Sequence, residues 1–292
     1  LKAVAGEFTD TSSIRKVETF NDDYRLKEKG AVLNWFDIEE KEGFQEMVDE
    51  CFTHAAMIQL EIADADGDVH TYGLPETQTF PMMFYRTDIF EELGIEPPKT
   101  WDEFIDCAKI INLNNMNCGM PQIYSTFMAQ MDVPLYQEDL SATNLMSSGA
   151  VNAFTFWTDF YTKYGFPKTY DFFNRFRTGL MPMGIADFAV YATIKAAAPE
   201  INGKWMMYEL PGFVQEDGSI NNTATGNGSA CVILNWSQKQ DKAWEFLKWW
   251  TSDDIQYRFG VNLESVLGMS GRYETANLNA LYRLGWEAEN LT

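Results

Sequence analysis

The stretch from Val69 to Ala108 constrains the fold most, because it changes periodicity twice over a short distance. Val69 to Leu74 alternates as a strand does, and Phe80 to Tyr85 is an apolar run suited to a buried strand. Thr87 and Asp88 can then cap a helix from Ile89 to Leu93 that Gly94 stops. Thr100 opens a second helix in which Glu103 completes a capping box and Trp101, Phe104 and Ala108 face inward. Strands interleaved with helices imply an α/β chain rather than a sandwich or a bundle. No period repeats, which excludes solenoids and propellers.

The flanking sequence is read by the same periodicities. Residues 1 to 35 are weakly patterned, with turn or helix-end signals at Asn21-Asp-Asp23 and Lys27-Glu-Lys-Gly30. A helix is expected over Glu40 to Phe52, with Phe44, Met47, Val48 and Cys51 on one face. Asp64-Ala-Asp-Gly-Asp68 reads as a hairpin turn rather than a calcium loop, since Gly67 is misplaced and the closing Glu is missing. Residues 112 to 150 read as helical but irregular. Asn152 to Tyr164 is an amphipathic helix with Phe154, Trp157, Phe160 and Tyr161 toward the core. Tyr170 to Phe176 is a helix closed by Gly179, Met183 to Ala186 a short strand, and Trp205 to Leu210 another. A polar loop over Gly212 to Asn222 and a strand over Ser229 to Leu234 lead to a helix, Gln238 to Trp250, that buries Ala243, Phe246, Leu247 and Trp250.

Composition narrows the chemistry. The 46% hydrophobic and 15% aromatic content suits a folded chain, and 292 residues permit two ordinary cores. A net charge of -21 repels phosphate backbones, so nucleic acid is excluded as a partner. Cys51, Cys107, Cys118 and Cys231 show neither a disulfide framework nor a zinc cluster. His54 and His70 lack a metal-ligating neighbour at helical or hairpin spacing, so neither metal nor cofactor is expected. No apolar run is long enough to span a membrane, and the start at Leu1 lacks a signal-peptide pattern. The chain is expected to be processed or trimmed, with any export signal outside it.

The usual enzymatic constellations are missing: no Gly-x-Ser-x-Gly elbow, no Walker loop, no His-Glu-x-x-His helix, and Gly226-Asn-Gly228 lacks the third glycine of a dinucleotide fingerprint. Two classes stay open on the residues alone. One is a binding protein; the other is a secreted glycan-degrading hydrolase working through paired carboxylates.

An ordered set of phrases decides between them. Tyr72-Gly-Leu-Pro75, Tyr85-Arg-Thr-Asp-Ile-Phe90 and Pro98-Lys-Thr-Trp-Asp-Glu103 come first. Phe176-Arg-Thr-Gly-Leu-Met-Pro-Met183, Leu210-Pro-Gly212, Gly226-Asn-Gly-Ser-Ala230, Trp244-Glu-Phe-Leu-Lys-Trp249, then Gln256 and Phe259 follow. From about residue 30 to about residue 275 the chain resembles the family 1 extracellular solute-binding proteins, sugar-binding lipoprotein components of ABC importers. Arg86 and Thr87 depart from it, standing where the family has Asn and Lys.

The resemblance implies a two-lobed periplasmic-binding-protein-like α/β fold with the ligand between the lobes. Lobe one would hold residues 1–79 with 235–265 returning to it, and lobe two 80–234 with 266–292 joining it. Crossings are expected near Thr77 to Met82, Cys231 to Asn235 and Val266 to Ser270. Residues 1 to 30 lack the family's opening β-α-β unit and the chain stops soon after Tyr273, so segments are expected to be missing and lobe one to be truncated.

The implied function is extracellular binding of an oligosaccharide by hinge closure, with delivery to ABC transporter transmembrane subunits and no catalysis. The implied protein is a monomer in the periplasm or on the cell surface, touching the membrane only through a lipid anchor absent from this chain. Sugars offer hydroxyl rims and apolar faces, so planar polar groups and flat rings make their sites. By that analogy lobe one contributes Glu76 and Thr77, and lobe two contributes Asp187, Phe188, Tyr191 and Asn227. Phe172, Phe173 and Trp205 are the candidate stacking rings, with core packing as the competing role. For Asp187 the competing role is helix capping, and for Glu76 a place on the surface.

Overall fold

In the computed structural model the described residues are 14–17, 37–63, 69–137 and 142–285. The turn signals at 21–23, 27–30 and 64–68 lie outside them. In chain order the elements begin β1 (Ile14–Val17), α1 (Phe44–Cys51), α2 (His54–Met57), β2 (Glu61–Ala63), β3 (Val69–Thr71), β4 (Gly73–Thr79), β5 (Pro81–Tyr85), α3 (Thr87–Leu93) and α4 (Trp101–Leu113). They continue β6 (Cys118–Gly119), α5 (Tyr124–Gln130), α6 (Ser148–Thr162), α7 (Phe172–Arg177), β7 (Met183–Asp187), α8 (Val190–Ala197), β8 (Met206–Tyr208), β9 (Phe213–Val214), β10 (Ile220–Asn221), β11 (Asn227–Ile233), α9 (Gln240–Trp250), α10 (Asp253–Leu267) and α11 (Leu278–Arg283).

Two compact units divide these elements. The first comprises the described residues through Thr79 together with those from Gly226 to 285, and the second is Phe80–Thr225. The sequence places the return to the first unit near Cys231 to Asn235 and a further crossing near Val266; the structure puts the return at Gly226 and keeps α10 in the first unit. The cause is β11, which is the central strand of a three-stranded antiparallel sheet, β1-β11-β4. A strand bonded on both sides belongs with its sheet, so residues 226–234 cannot stay with the second unit.

The second unit carries a four-stranded sheet ordered β6-β7-β5-β8. β6 and β7 run parallel, and β5 is antiparallel to both β7 and β8. Against it packs an aromatic core. Trp101, Phe104, Phe127 and Phe160 are all at most 1% exposed, and Trp101 meets Phe127 edge-on at 4.9 Å. The capping box at Thr100 forms as the sequence implies, with Thr100 Oγ1 accepting from Glu103 N–H and Glu103 accepting from Thr100 N–H. Gly94 ends α3 in the left-handed region, at φ 65°. Gln130 locks the core to the β9–β10 pair found in the stretch read as a polar loop. It accepts from Trp101 Nε1 at 2.6 Å and donates to the carbonyls of Pro211 and Thr223.

Arg86, the departure from the family phrase, is buried and braces this unit. Its guanidinium pairs with Asp88 at 2.7 Å and donates to the Phe176 and Arg177 carbonyls, capping the end of α7 where orphan carbonyls gather. Burial works against the Asp88 charge, but the hydrogen bonds and charge of Arg86 hold that carboxyl below its ordinary range.

Two helix faces differ from the periodic reading. In α6 the buried residues are Ala150, Ala153 and Phe160, while Phe154 is 49% exposed and leans edge-on against Tyr124 and Trp157 at 5.7 Å each. In α9 the buried residues are Ala243, Trp244 and Leu247, and Phe246 is exposed. Trp244 wins the inward place because its Nε1–H donates to the Glu42 carbonyl at 3.1 Å. Replacing Phe160 with Ala should therefore cost about 3–5 kcal/mol in urea unfolding, and replacing Phe154 with Ala under about 1 kcal/mol. Equal losses would mean that the α6 stripe is buried as its periodicity suggests.

Candidate functional site

In the first unit, polar side chains gather along the β4–β11 ladder. The register sets Ser229 opposite Thr77 and Asn227 opposite Thr79, with a bulge between Ser229 and Ala230. Ser229 N–H donates to Thr77 Oγ1 at 3.1 Å, and the two hydroxyls lie 2.6 Å apart. A Cβ at Gly228 would stand 2.3 Å from the Thr77 carbonyl oxygen, so this approach of the strands requires glycine.

Glu76 is not on the surface. It is 5% exposed, and its carboxylate accepts from Trp250 Nε1 at 3.1 Å and from Ser229 Oγ at 3.3 Å. The backbone of β4 is held on its other edge, where Ala276 N–H donates to the Glu76 carbonyl and Gln78 N–H to that of Glu274. Tyr273 is buried nearby; burial, and after it the Glu76 charge, push its phenol well above the ordinary range. Glu76 is thus a fixed buried acceptor, Thr77 is half-buried, and Asn227 is exposed at the start of β11.

In the second unit, β7 ends at Asp187 opposite Pro81 of β5. Asp187 is exposed, and its Oδ1 accepts from Ala189 N–H at 2.9 Å, the short-range bond by which aspartate shapes a turn. The expected helix-capping role is not realised, since Ala189 is the N-cap of α8 and no side chain caps it; the Ala189 bond instead shapes the turn and orients the carboxylate without burying it. Phe188 follows at 2% exposure, stacked on Phe80 with centroids 5.0 Å apart, and its N–H donates to the Phe80 carbonyl.

The aromatic candidates separate by burial. Phe172 and Phe173 open α7 and are half-buried. Phe172 stacks on Phe176 at 5.3 Å and meets Phe84 edge-on at 5.9 Å. Trp205 and Tyr191 are core residues, 4% and 1% exposed, with Trp205 stacked on Phe84 at 6.0 Å and edge-on to Tyr191 at 5.6 Å. Asp187, Phe172 and Phe173 therefore reach solvent, whereas Phe188, Tyr191 and Trp205 are buried. Phe80 joins this group unforeseen: its apolar run signals only a strand, and nothing local marks its stacking on Phe188.

A family model described as bacterial extracellular solute-binding protein matches residues 6–262. This chain belongs to that family. The hydrolase alternative gains no support from it.

As a solute-binding protein the chain has distant relatives. Proteins of Brucella abortus and Brucella suis are 27% identical over 213 residues, covering 67% of this chain and 50% of theirs, so the chain spans about half the length of those curated relatives. The sn-glycerol-3-phosphate-binding periplasmic protein of Agrobacterium fabrum is 27% identical over 125 residues, 41% of this chain and 26% of its own. Among solved structures, the sugar-binding protein MalE of Xanthomonas citri aligns with a TM-score of 0.74 at 18% identity, over 95% of this chain and 69% of that one. A solute-binding protein of Thermotoga lettingae bound with alpha-D-tagatose aligns at 0.63 with 21% identity, over 94% and 70%. These likenesses bear out the expected two-lobed α/β fold. No helix among the described residues is long and apolar enough to cross a membrane.

The Glu76 network makes a direct prediction for this solute-binding protein. Glu76→Ala leaves the Trp250 N–H and the Ser229 hydroxyl without their buried acceptor and should cost about 1–3 kcal/mol in chemical unfolding, with Glu76→Gln losing less. Unchanged stability in Glu76→Ala would show that the carboxylate does not hold β4, β11 and α9 together.

Proposed function

We propose that this protein binds a carbohydrate outside the cell, without altering it, and delivers it to the membrane subunits of an ABC importer. The observation that carries this reading is Asp187: an exposed carboxylate, oriented by Ala189 N–H, at the end of a strand flanked by stacked and half-buried phenylalanines. A carboxylate accepts paired sugar hydroxyls through charge-assisted bonds, and flat rings take the apolar face of a pyranose. Asp187, Phe172 and Phe173 make the direct contacts in this reading; Phe188, Tyr191 and Trp205 belong to the buried aromatic support of the second unit. Within the first unit Glu76 fixes the strand that carries Thr77, and Thr77 and Asn227 are that unit's own candidate polar contacts.

The two units correspond in this proposal to the two lobes of the sugar-binding relatives, and the protein acts as a monomer in the periplasm or at the cell surface. Support comes from the family and from the sugar-binding function named for MalE of Xanthomonas citri. A second reading, a glycerol-phosphate ligand, is favoured only by the Agrobacterium relative. The acidic character of Asp187 argues against it, because a phosphate would meet like charge there.

Calorimetric titration with mono- and oligosaccharides and with sn-glycerol 3-phosphate, followed by mass spectrometry of the recovered ligand, separates the readings. Saturable binding of an unaltered saccharide is expected, and Asp187→Ala should weaken it about 10- to 100-fold, the loss of one or two hydrogen bonds to a charged group. A phosphate ligand would instead bind Asp187→Ala more tightly. Loss of thermal stability with unchanged affinity would assign Asp187 to its turn alone, and a cleaved glycan would overturn the binding role.

A further inference from the structure

We propose that Asp37, Glu39 and His70 form a binding site for a zinc-class divalent cation in the first unit. The three residues come from two backbone segments that a buried contact holds in register. Ile38 is 0% exposed and its N–H donates to the Thr71 carbonyl at 3.1 Å, which pins the segment against β3. The residues flanking Ile38 carry carboxylates that reach solvent, and His70 precedes the buried Thr71 on β3, so alternation turns its ring outward. The result is convergence: His70 Nδ1 lies 2.8 Å from Asp37 Oδ2 and 3.9 Å from Glu39 Oε2, and one donor atom from each of the three lies within 4.8 Å of the others.

The spacing matches what a small cation needs. Tetrahedral zinc with bonds of about 2.0–2.1 Å sets its donors about 3.3 Å apart, inside the range these side chains already span. Asp37 is preoriented, because its Oδ1 accepts the Glu39 N–H at 2.9 Å and leaves Oδ2 on the side of His70. An ordinary histidine–aspartate pair accounts for one of the carboxylates; the approach of Glu39 to the same nitrogen is what makes a third ligand. One neutral imidazole and two carboxylates balance a doubly charged ion and leave a coordination position for water. That donor set suits zinc and its neighbours in the transition series, whereas calcium takes six to eight oxygens. The bound ion would tie the segment around Ile38 to the β2–β3 pair and raise the stability of the first unit by mass action. The site is independent of the carbohydrate reading, and none of its residues is among those assigned there.

The sequence contains two histidines and the four cysteines are buried, so a controlled test is simple. Tag-free protein stripped with a chelator is titrated with zinc chloride by calorimetry at pH 7.5, with magnesium and calcium in excess, and the loaded protein is examined by zinc X-ray absorption. One ion per chain is expected, with a nitrogen–oxygen shell free of sulfur. His70→Ala, His70→Gln and Asp37→Asn should each weaken binding about 10- to 100-fold, while His54→Ala leaves it unchanged. Circular dichroism confirms which variants fold, and His70→Gln stands in where His70→Ala does not. Binding that survives loss of His70, that depends on His54, that shows sulfur ligation, or that fails to saturate by about 1 mM, the weak end of affinity for a specific complex, overturns the proposal.

Discussion

The pairing of β11 with β4 is the constraint on which the first unit rests. It joins segments far apart in sequence, and it does so through a register fine enough to need glycine at position 228, where any Cβ would meet the Thr77 carbonyl. β1 then adds to the free edge of β11, and the segment around Thr275 adds to the free edge of β4. The same pairing delivers Ser229 to Glu76, and the helix that follows delivers Trp250. Because a buried carboxylate without donors is costly, the Glu76 network forms only when all three segments are in place. That makes the polar cluster a reporter of correct assembly as well as a neighbour of the candidate ligand residues.

In the proposed binding role the second unit presents a few polar groups on a rigid support. Its sheet ends β7 at Asp187, and the aromatic core behind that strand leaves little freedom for the rings that carry the surface. Phe84 is the pivot, touching Phe172, Phe176 and Trp205 at once. Rigid rings lose little entropy when a ligand settles on them, which is how a modest number of hydrogen bonds can give useful affinity. Arg86 adds to this rigidity by tying the end of α7 to the start of α3, through two carbonyls and Asp88.

Local signals in the sequence carried the parts of this architecture that short-range chemistry decides. The Thr100–Glu103 capping box, the stop at Gly94 and the inward face of Trp101, Phe104 and Ala108 are all settled within one or two helical turns. The ordered family phrases carried the fold. What stayed hidden depends on distant partners. Periodicity cannot tell Phe154 from Phe160, since both lie within an apolar stripe and partners distant in sequence decide: Trp101, Phe104 and Phe127 cover Phe160, while Phe154 meets Tyr124 near the surface. Nor can it tell Trp244 from Phe246 without the Glu42 carbonyl that receives the indole N–H. Glu76 reads as a ligand-facing or surface carboxylate until Trp250 and Ser229 bury it, and His70 reads as solitary until the Asp37 segment folds against β3.

The central proposal is that this solute-binding protein grips an intact carbohydrate with Asp187 and aromatic rings of the second unit. A crystal structure of the protein with the saccharide it retains tests that most directly. The account predicts an uncleaved sugar whose hydroxyls donate to the Asp187 carboxylate while a ring face lies on Phe172 or Phe173. A sugar bound elsewhere without touching Asp187, or a hydrolysed product in its place, would contradict it.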